Sequence, residues 1–385
     1  MLETIAAVAQ VALLALIFYN SIIALWGLKN RPAASAGSRS RAFRIVVPAH
    51  NEAAVLPGLL GDLVEQDYPG ALYRTTVLAD RCTDDTAAVA SGHAQVAERS
   101  DGPDGKGPAL AWYLDKHPLG ENENLLILDA DNRVPADLLG LLSDELDAGH
   151  VVLQCYLDSA RTGRPVATAS ALTYWASNRM VQLARRNLGW SCDLGGTGMC
   201  FGAGALDPVG GFGDNLAEDR ELAIRLVLAG VPVTWLHHVR IGDEKPGSVA
   251  VAAKQRARWA SGRRLVARQY FTRLVTAGLR RRSMELIDQA IRLVQPGRTF
   301  VALVSGIFTV LAALDVPLLF GWPIWLAATV VQVALPVVFL VRDRTPFKLV
   351  VQYPLIVIVA ALWLPVQILS RRRSSDWYHT PHEGS

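Results

Sequence analysis

The stretch Asn124-Leu125-Leu126-Ile127-Leu128-Asp129-Ala130-Asp131 decides the fold class. A short unbroken apolar run is the mark of a strand covered on both faces, and here two carboxylates within three residues end it. Pro135 then opens a helix, because proline suits a first helical turn. Upstream the same alternation repeats: strand Phe43 to Val47, helix near Ala54 to Glu65, strand Thr75 to Ala79, then helices near Asp85 to Ser91 and Pro108 to Lys116. This order predicts an α/β domain, a mostly parallel sheet covered by helices, whose ligand site lies beyond the carboxyl ends of the strands.

Outside this domain the composition changes. Of 385 residues 51% are hydrophobic and the mean hydropathy is +0.24, and the excess collects at the two ends. Ile5 to Leu28 is long enough to cross a bilayer, and Lys29, Arg31, Arg39, Arg41 and Arg44 follow it, which predicts a cytosolic domain next. A cleaved signal peptide is disfavoured because the basic residues follow the apolar run. Three later runs, Phe300 to Phe320, Trp322 to Val341 and Leu349 to Leu369, predict further spans, with Asp315 inside the first and facing other helices or a polar path. Arg371, Arg372 and Arg373 oppose the positive-inside tendency, so the last run is a span, a re-entrant segment or an interfacial one. The expected division is a transmembrane helix over 1–30, a linker over 31–42, a cytosolic domain over 43–265, amphipathic interfacial helices over 266–298, about three transmembrane helices over 299–370 and a polar tail over 371–385. A formal net charge of +3 gives no sign of a nucleic-acid partner. The four cysteines lack paired or zinc-site spacing and read as reduced thiols.

Polar groups gather where strands end. His50-Asn51-Glu52 follows the first strand and Asp80-Arg81-Cys82-Thr83-Asp84-Asp85-Thr86 the second. Glu52 and Asp80 can accept hydrogen bonds from a base or ribose, although Asn, Asp and Thr also serve turns and helix caps. Asp129 and Asp131 suit a hard divalent ion shared with phosphate oxygens, or form a strand-end turn. Lys106, between Gly105 and Gly107, can approach a phosphate or stand on an exposed loop. Gly195 to Phe201, Gly198 included, offers a wall for a flat sugar, or a buried strand with tight turns. Glu218 and Asp219 open a helix, where acids complement the N-terminus; in a sugar-transfer site one of them, here Asp219, takes the acceptor proton. Gln255-Arg256-Ala257-Arg258-Trp259 lies in a basic helical pattern. Arg258 can neutralise a diphosphate and Trp259 can face a sugar, while a helix resting on a membrane surface gives the same pattern.

Taken in order, these residues resemble the family-2 inverting glycosyltransferases of the GT-A fold, in particular the membrane-embedded branch with cellulose, chitin-oligosaccharide, hyaluronan and poly-N-acetylglucosamine synthases. Over about Phe43 to Gly262, Asp80, Asp129-Ala130-Asp131, Glu218-Asp219 and Gln255 to Trp259 look like that branch's D, DxD, ED and QxxRW series. The resemblance implies a UDP-sugar donor, carrying glucose or N-acetylglucosamine, held by Glu52, Asp80, Lys106, Asp129, Gln255, Arg258 and Trp259. It implies Mg2+ or Mn2+ at Asp131 and Asp129, catalysis by Asp219 with Glu218, and an acceptor against Gly198 and Trp259. An enzyme of the plasma membrane with a cytosolic catalytic domain is expected, forming a β-linkage. Its acceptor is either a growing glycan or a membrane lipid that receives one sugar. The gating-loop motif that follows QxxRW in processive members has no counterpart here. A non-catalytic membrane partner is a third reading, against which the intact acids at every motif argue.

Overall fold

The computed structural model describes residues 2–159, 165–243 and 249–353. From the N-terminus, α1 (Leu2–Leu25) precedes β1 (Ala42–Ala49), α2 (Leu56–Val64), β2 (Tyr73–Asp80), α3 (Thr86–Ser91) and β3 (Gln95–Arg99). Next come α4 (Lys106–Lys116), β4 (Glu123–Ile127), α5 (Leu138–Asp147) and β5 (Val152–Ser159). α6 (Pro165–Ser177) passes through a π-helical segment into α7 (Ala184–Leu188), followed by β6 (Met199–Phe201), α8 (Glu218–Leu228) and β7 (Val233–Asp243). Then follow α9 (Val249–Arg281), α10 (Met284–Val294), α11 (Arg298–Ala313), α12 (Trp322–Arg342) and α13 (Phe347–Val350). These residues form two compact units: an α/β unit of Arg31–Ala167 and Gly189–Val294, and a helical unit of Met1–Asn30, Thr168–Leu188 and the described chain from Gln295.

The α/β unit carries one seven-stranded sheet in the order β3-β2-β1-β4-β6-β5-β7. All neighbours are parallel except β6, which runs antiparallel to both β4 and β5. The mostly parallel, helix-covered sheet expected from the alternation is therefore present. Ile45, Val46 and Val47 of β1 have no exposed surface, as a strand covered on both faces requires. Leu56, Leu59, Leu60 and Leu63 of α2 recur at helical spacing and form one buried stripe, and Pro57 sits in the first turn, where its missing N–H costs nothing. Each such buried side chain stabilises the fold by roughly 1.5–3 kcal/mol. α5 repeats the pattern with Leu138, Leu139, Leu142 and Leu146.

The segment read as a linker is fastened to α5. Ala34 N donates to Glu145 (3.1 Å), Gly37 N to Asp144 (2.7 Å) and Arg41 Nε to Asp147 (2.7 Å). One acidic helix face thus satisfies backbone donors of an irregular stretch that has no ladder of its own.

In the helical unit, Glu3–Leu28 and Trp322–Arg342 are long and apolar enough to cross a membrane among the described residues. α11 stops at Ala313, short of the expected run to Phe320. Asp315 is exposed in the turn that follows, at φ +57°, and does not lie inside a helix as anticipated. Pro317 two residues on disfavours helical backbone before it, and Asp tolerates the left-handed turn. Arg179 is the buried tie of this unit: it pairs with Asp343 (2.5 Å) and donates to Gly27 O (2.9 Å) and Asn30 Oδ1 (3.0 Å). The last apolar run lies outside the described residues beyond Tyr353, as do Arg371, Arg372 and Arg373.

Candidate active site

β1, β2 and β4 end at the same edge of the sheet, and the loops beyond them carry the first site residues. Asn51 (φ +56°) and Arg81 (φ +52°) both occupy left-handed backbone, so the chain turns sharply just after β1 and β2. The two loops are knitted together: Asn51 Oδ1 accepts from Thr83 N (2.7 Å), Glu52 N donates to Thr86 Oγ1 (2.8 Å), and Asp84 accepts from Ala53 N (3.2 Å) and Thr86 N (3.0 Å). Asn51, Asp84 and Thr86 thus do turn and cap chemistry. Glu52 is half-buried beside them. Asp80 is buried, and its carboxylate accepts from Arg99 Nη1 (2.8 Å) and from Arg81 Nε (3.1 Å) and Nη2 (3.0 Å). Three donors on about four lone-pair sites leave room for one more.

Beyond β4, the backbone of Asp129 is fixed by two buried side chains, donating to Asn132 Oδ1 (3.1 Å) and Thr197 Oγ1 (2.9 Å). The Asp129 carboxylate pairs with Lys106, whose ammonium also donates to Gly196 O (2.8 Å). Lys106 is therefore not a free loop lysine; it opens α4 and bridges Asp129 to the glycine-rich segment. Asp131 is half-buried, two residues on, and its carboxylate accepts from Asn132 Nδ2 (3.3 Å). The glycine-rich stretch takes the second form the sequence allowed, a buried strand at Met199–Phe201 with tight turns before it. Gly198, at φ +63°, lies where a Cβ would come within 3.0 Å of Ile241 and 3.1 Å of Cys155, which demands glycine.

α8 brings the acids to this point. A Cβ on Gly196 would sit 3.6 Å from Asp219 Oδ2, so the Asp219 carboxylate faces the glycine turn. α9 delivers Gln255, Arg258 and Trp259 by packing on the start of α8: a Cβ on Gly262 would lie 2.7 Å from Ala217 Cβ. Ile224, Val227, Val266, Tyr270, Leu274, Leu286, Ala290 and Leu293 close the apolar interface of α8, α9 and α10. Gln255 and Arg258 are half-buried, and Trp259 is exposed to 40%. The buried Nε of Arg258 has no hydrogen-bond partner among the described residues.

The charges act on one another. Removal from solvent pushes Glu218 up to about 7, with Asp219 adding to the rise and Lys106 and Arg258 opposing it. Desolvation likewise raises Asp219, against the hydrogen bond from Arg220 N and the charges of Arg220, Lys106 and Arg258. Burial disfavours the Lys106 ammonium, but Asp129, Glu218 and Asp219 outweigh it and hold its pKa above the ordinary lysine value. Lys106, Asp129, Glu218, Asp219 and Arg258 thus form one electrostatic cluster.

Two expected results follow from this packing. The folded state keeps a proton on Glu218 between the ordinary value of 4.5 and about 7, so folding stability falls as pH rises through that window. Glu218→Gln is expected to raise the thermal midpoint at pH 8, through a gain on the order of 1–3 kcal/mol, and to leave it unchanged at pH 4. Melts at the two pH values check this, and equal shifts at both would contradict it. Gly107, beside Lys106, lies so close to α8 that a Cβ would collide with Gly213 O and fall 2.9 Å from Glu218 Cβ. Gly107→Ala must push the start of α8 away, and a loss of about 1–3 kcal/mol is expected in urea melts; an unchanged midpoint would show that the contact yields freely.

Some residues that shape the site carry no signal in the sequence. Asn132, Thr197 and Gln154 are buried; Gln154 accepts from Gly195 N (2.8 Å) and donates to Thr197 O (2.9 Å). Thr197, within the glycine-rich stretch, and Asn132, directly after Asp131, stand beside recognisable motifs, whereas Gln154 does not. Asp193 pairs with both Arg220, next to Asp219, and Arg292 of α10. The carboxylates that could hold a metal here are Asp129 and Asp131; no group of three or more His, Cys, Asp or Glu side chains forms a closed cage among the described residues. Two carboxylates on an open strand end fit a hard cation whose remaining positions are filled by phosphate oxygens and water.

The family profile described as Glycosyltransferase like family 2 matches residues 40–262. Among curated relatives, Beta-monoglucosyldiacylglycerol synthase of Nostoc sp. is 27% identical over 234 residues, covering 57% of this chain and 48% of that protein. Probable glycosyltransferase YdaM of Bacillus subtilis is 27% identical over 239 residues, covering 58% and 55%. The chain spans about half the length of the curated relatives it matches. Among solved structures, the mannosyltransferase PcManGT of Pyrobaculum calidifontis in complex with GDP-Man and Mn2+ shares the fold, with a TM-score of 0.56 at 22% identity over 94% of this chain and 99% of that one. With more than half of its length under that profile and a sheet of the GT-A kind beneath the site, the chain belongs to glycosyltransferase family 2.

Proposed function

We propose that the chain transfers one sugar, with inversion, from a nucleoside-diphosphate sugar to a membrane lipid. The observation that carries this is the convergence of Asp219 with Lys106, Asp129 and Arg258 at the carboxyl edge of the sheet. Proton acceptor, cationic groups for a leaving diphosphate and a metal-capable aspartate pair meet around one point. The names of the diacylglycerol-glucosylating relatives support the lipid acceptor. Apolar helices at Glu3–Leu28 and Trp322–Arg342 supply anchors that would keep the domain at a membrane surface. The basic residues after the first helix favour the cytosolic face of the plasma membrane.

In this reading Glu52 and the remaining acceptor capacity of Asp80 receive donor groups of the nucleoside, a UDP-sugar of glucose or N-acetylglucosamine. Arg258, through its unsatisfied Nε, and Gln255 hold the diphosphate, and Lys106 balances Asp129 until the donor arrives. Asp131 and Asp129 would hold Mg2+ or Mn2+, which when bound would supply neutralising charge at the diphosphate. Trp259 and the turn at Gly198 flank the acceptor. Asp219 takes the acceptor hydroxyl proton as that oxygen attacks the anomeric carbon, which turns an α-linked donor into a β-linked product. Removal from solvent keeps Asp219 basic, and the charge of Asp219 in turn raises Glu218. The test is release of nucleoside diphosphate from a panel of donors by the full chain in lipid nanodiscs. Release with UDP-glucose or UDP-N-acetylglucosamine is expected; no release from any nucleotide sugar would overturn the reading.

A further inference from the structure

Arg263 is a cation with no acid. It is half-buried on α9, and it has no ion-pair or hydrogen-bond partner among the described residues. Other arginines of the same unit are balanced: Arg99 by Asp80, Arg225 by Glu221, Arg220 by Asp193, and Arg292 by Asp193 and Asp288. A desolvated guanidinium without a counter-ion is costly, and the charges nearest to it make matters worse. Burial lowers the Arg263 pKa, and Arg220 and Arg264 lower it further.

Its position is tied to the site. Gly262, the preceding residue, packs on Ala217 at the start of α8, one residue before Glu218. Arg263 lies one helical turn after Trp259 on the same face of α9, and it is close in charge to Arg220, which follows Asp219. The cations that act on Glu218 and Asp219 from the donor side are Lys106 and Arg258. Arg263 therefore adds positive charge beside the start of α8, one helical turn from the exposed Trp259. A residue serving only to rest on a membrane surface would be open to solvent, as Arg264 and Arg268 of the same helix are.

We propose that Arg263 binds a phosphate group of the acceptor, so that the lipid glycosylated here carries an anion beside the hydroxyl that receives the sugar. This rests on the lipid-glycosyltransferase reading and narrows its acceptor to a phosphate-bearing class. A guanidinium presents paired donors to phosphate oxygens, and the ligand supplies the charge the protein lacks.

The full chain is assayed in phosphatidylcholine nanodiscs doped with either phosphatidylglycerol or diacylglycerol, and separately with soluble glycerol phosphate. Phosphatidylglycerol is expected to be preferred over diacylglycerol by about tenfold or more in kcat/KM. Arg263→Gln is expected to raise the KM for the phosphate-bearing acceptor by about tenfold, with Arg263→Lys recovering part of the loss. Comparable use of soluble glycerol phosphate would support the phosphate contact while showing that the lipid chain is not needed for it. Equal use of diacylglycerol by the wild type, or an acceptor KM unmoved by Arg263→Gln, would overturn the inference alone. Absence of nucleotide release in every arm would overturn the lipid-transfer reading and the inference together.

Discussion

Asp219→Asn is expected to lower sugar transfer by about 10²–10⁴-fold, the usual contribution of a positioned base, while donor affinity changes little. The amide is nearly isosteric and keeps an oxygen for the Arg220 N–H that Asp219 Oδ1 accepts at 2.6 Å, so the start of α8 should hold its shape. What is lost is the capacity to take a proton. Asp219 faces the glycine turn at Gly196 and Glu218 lies against Gly107, so the two acids point to different neighbours and their roles are separable. Steady-state turnover with titration calorimetry of the donor decides the matter. Turnover within a few-fold of wild type would remove Asp219 from its role.

Asp131→Asn is expected to reduce transfer by roughly 10²–10³-fold, and a chelator is expected to do the same to the unmodified chain. Asp129 and Asp131 provide only two carboxylates, so a cation held there depends on both of them and on the diphosphate. Lys106 pairs with Asp129, so a cation bound there would compete with that ammonium. The loss at Asp131 is read as a rise in the Mn2+ concentration giving half-maximal activity. Full activity in excess chelator would contradict the metal assignment.

Much of the fold was legible because a central parallel strand is covered on both faces, and Ile45-Val46-Val47 and Leu125-Leu126-Ile127 announce that in unbroken apolar runs. The edge at which the site forms follows from the same reading, since every parallel βα loop opens there. Individual contacts were less legible. Asp80 read as free to meet a base, but Arg99, nineteen residues on and one strand over, shares its carboxylate. The glycines around Lys106 suggested close approach by a phosphate. Gly105 instead serves backbone at φ +117°, and Gly107 serves the approach of α8. Neither demand is local, because each is set by an element more than a hundred residues away or by a turn whose sign a single sequence does not encode. Asp193 and its two arginines, and the fastening of 34–41 to α5, depend on tertiary packing in the same way. Asp315 was misplaced because hydropathy averages over a window, whereas Pro317 ends the helix at a point.

On the function proposed above, the acids and cations gathered around Asp219 transfer a single sugar to a lipid. Mass spectrometry of the lipid phase, after incubation of the full chain in nanodiscs with a UDP-sugar and Mn2+, tests it most directly. One hexose or N-acetylhexosamine added per lipid, absent with Asp219→Asn, is the predicted result; a ladder of oligomers, or an unmodified lipid alongside consumed donor, would contradict it.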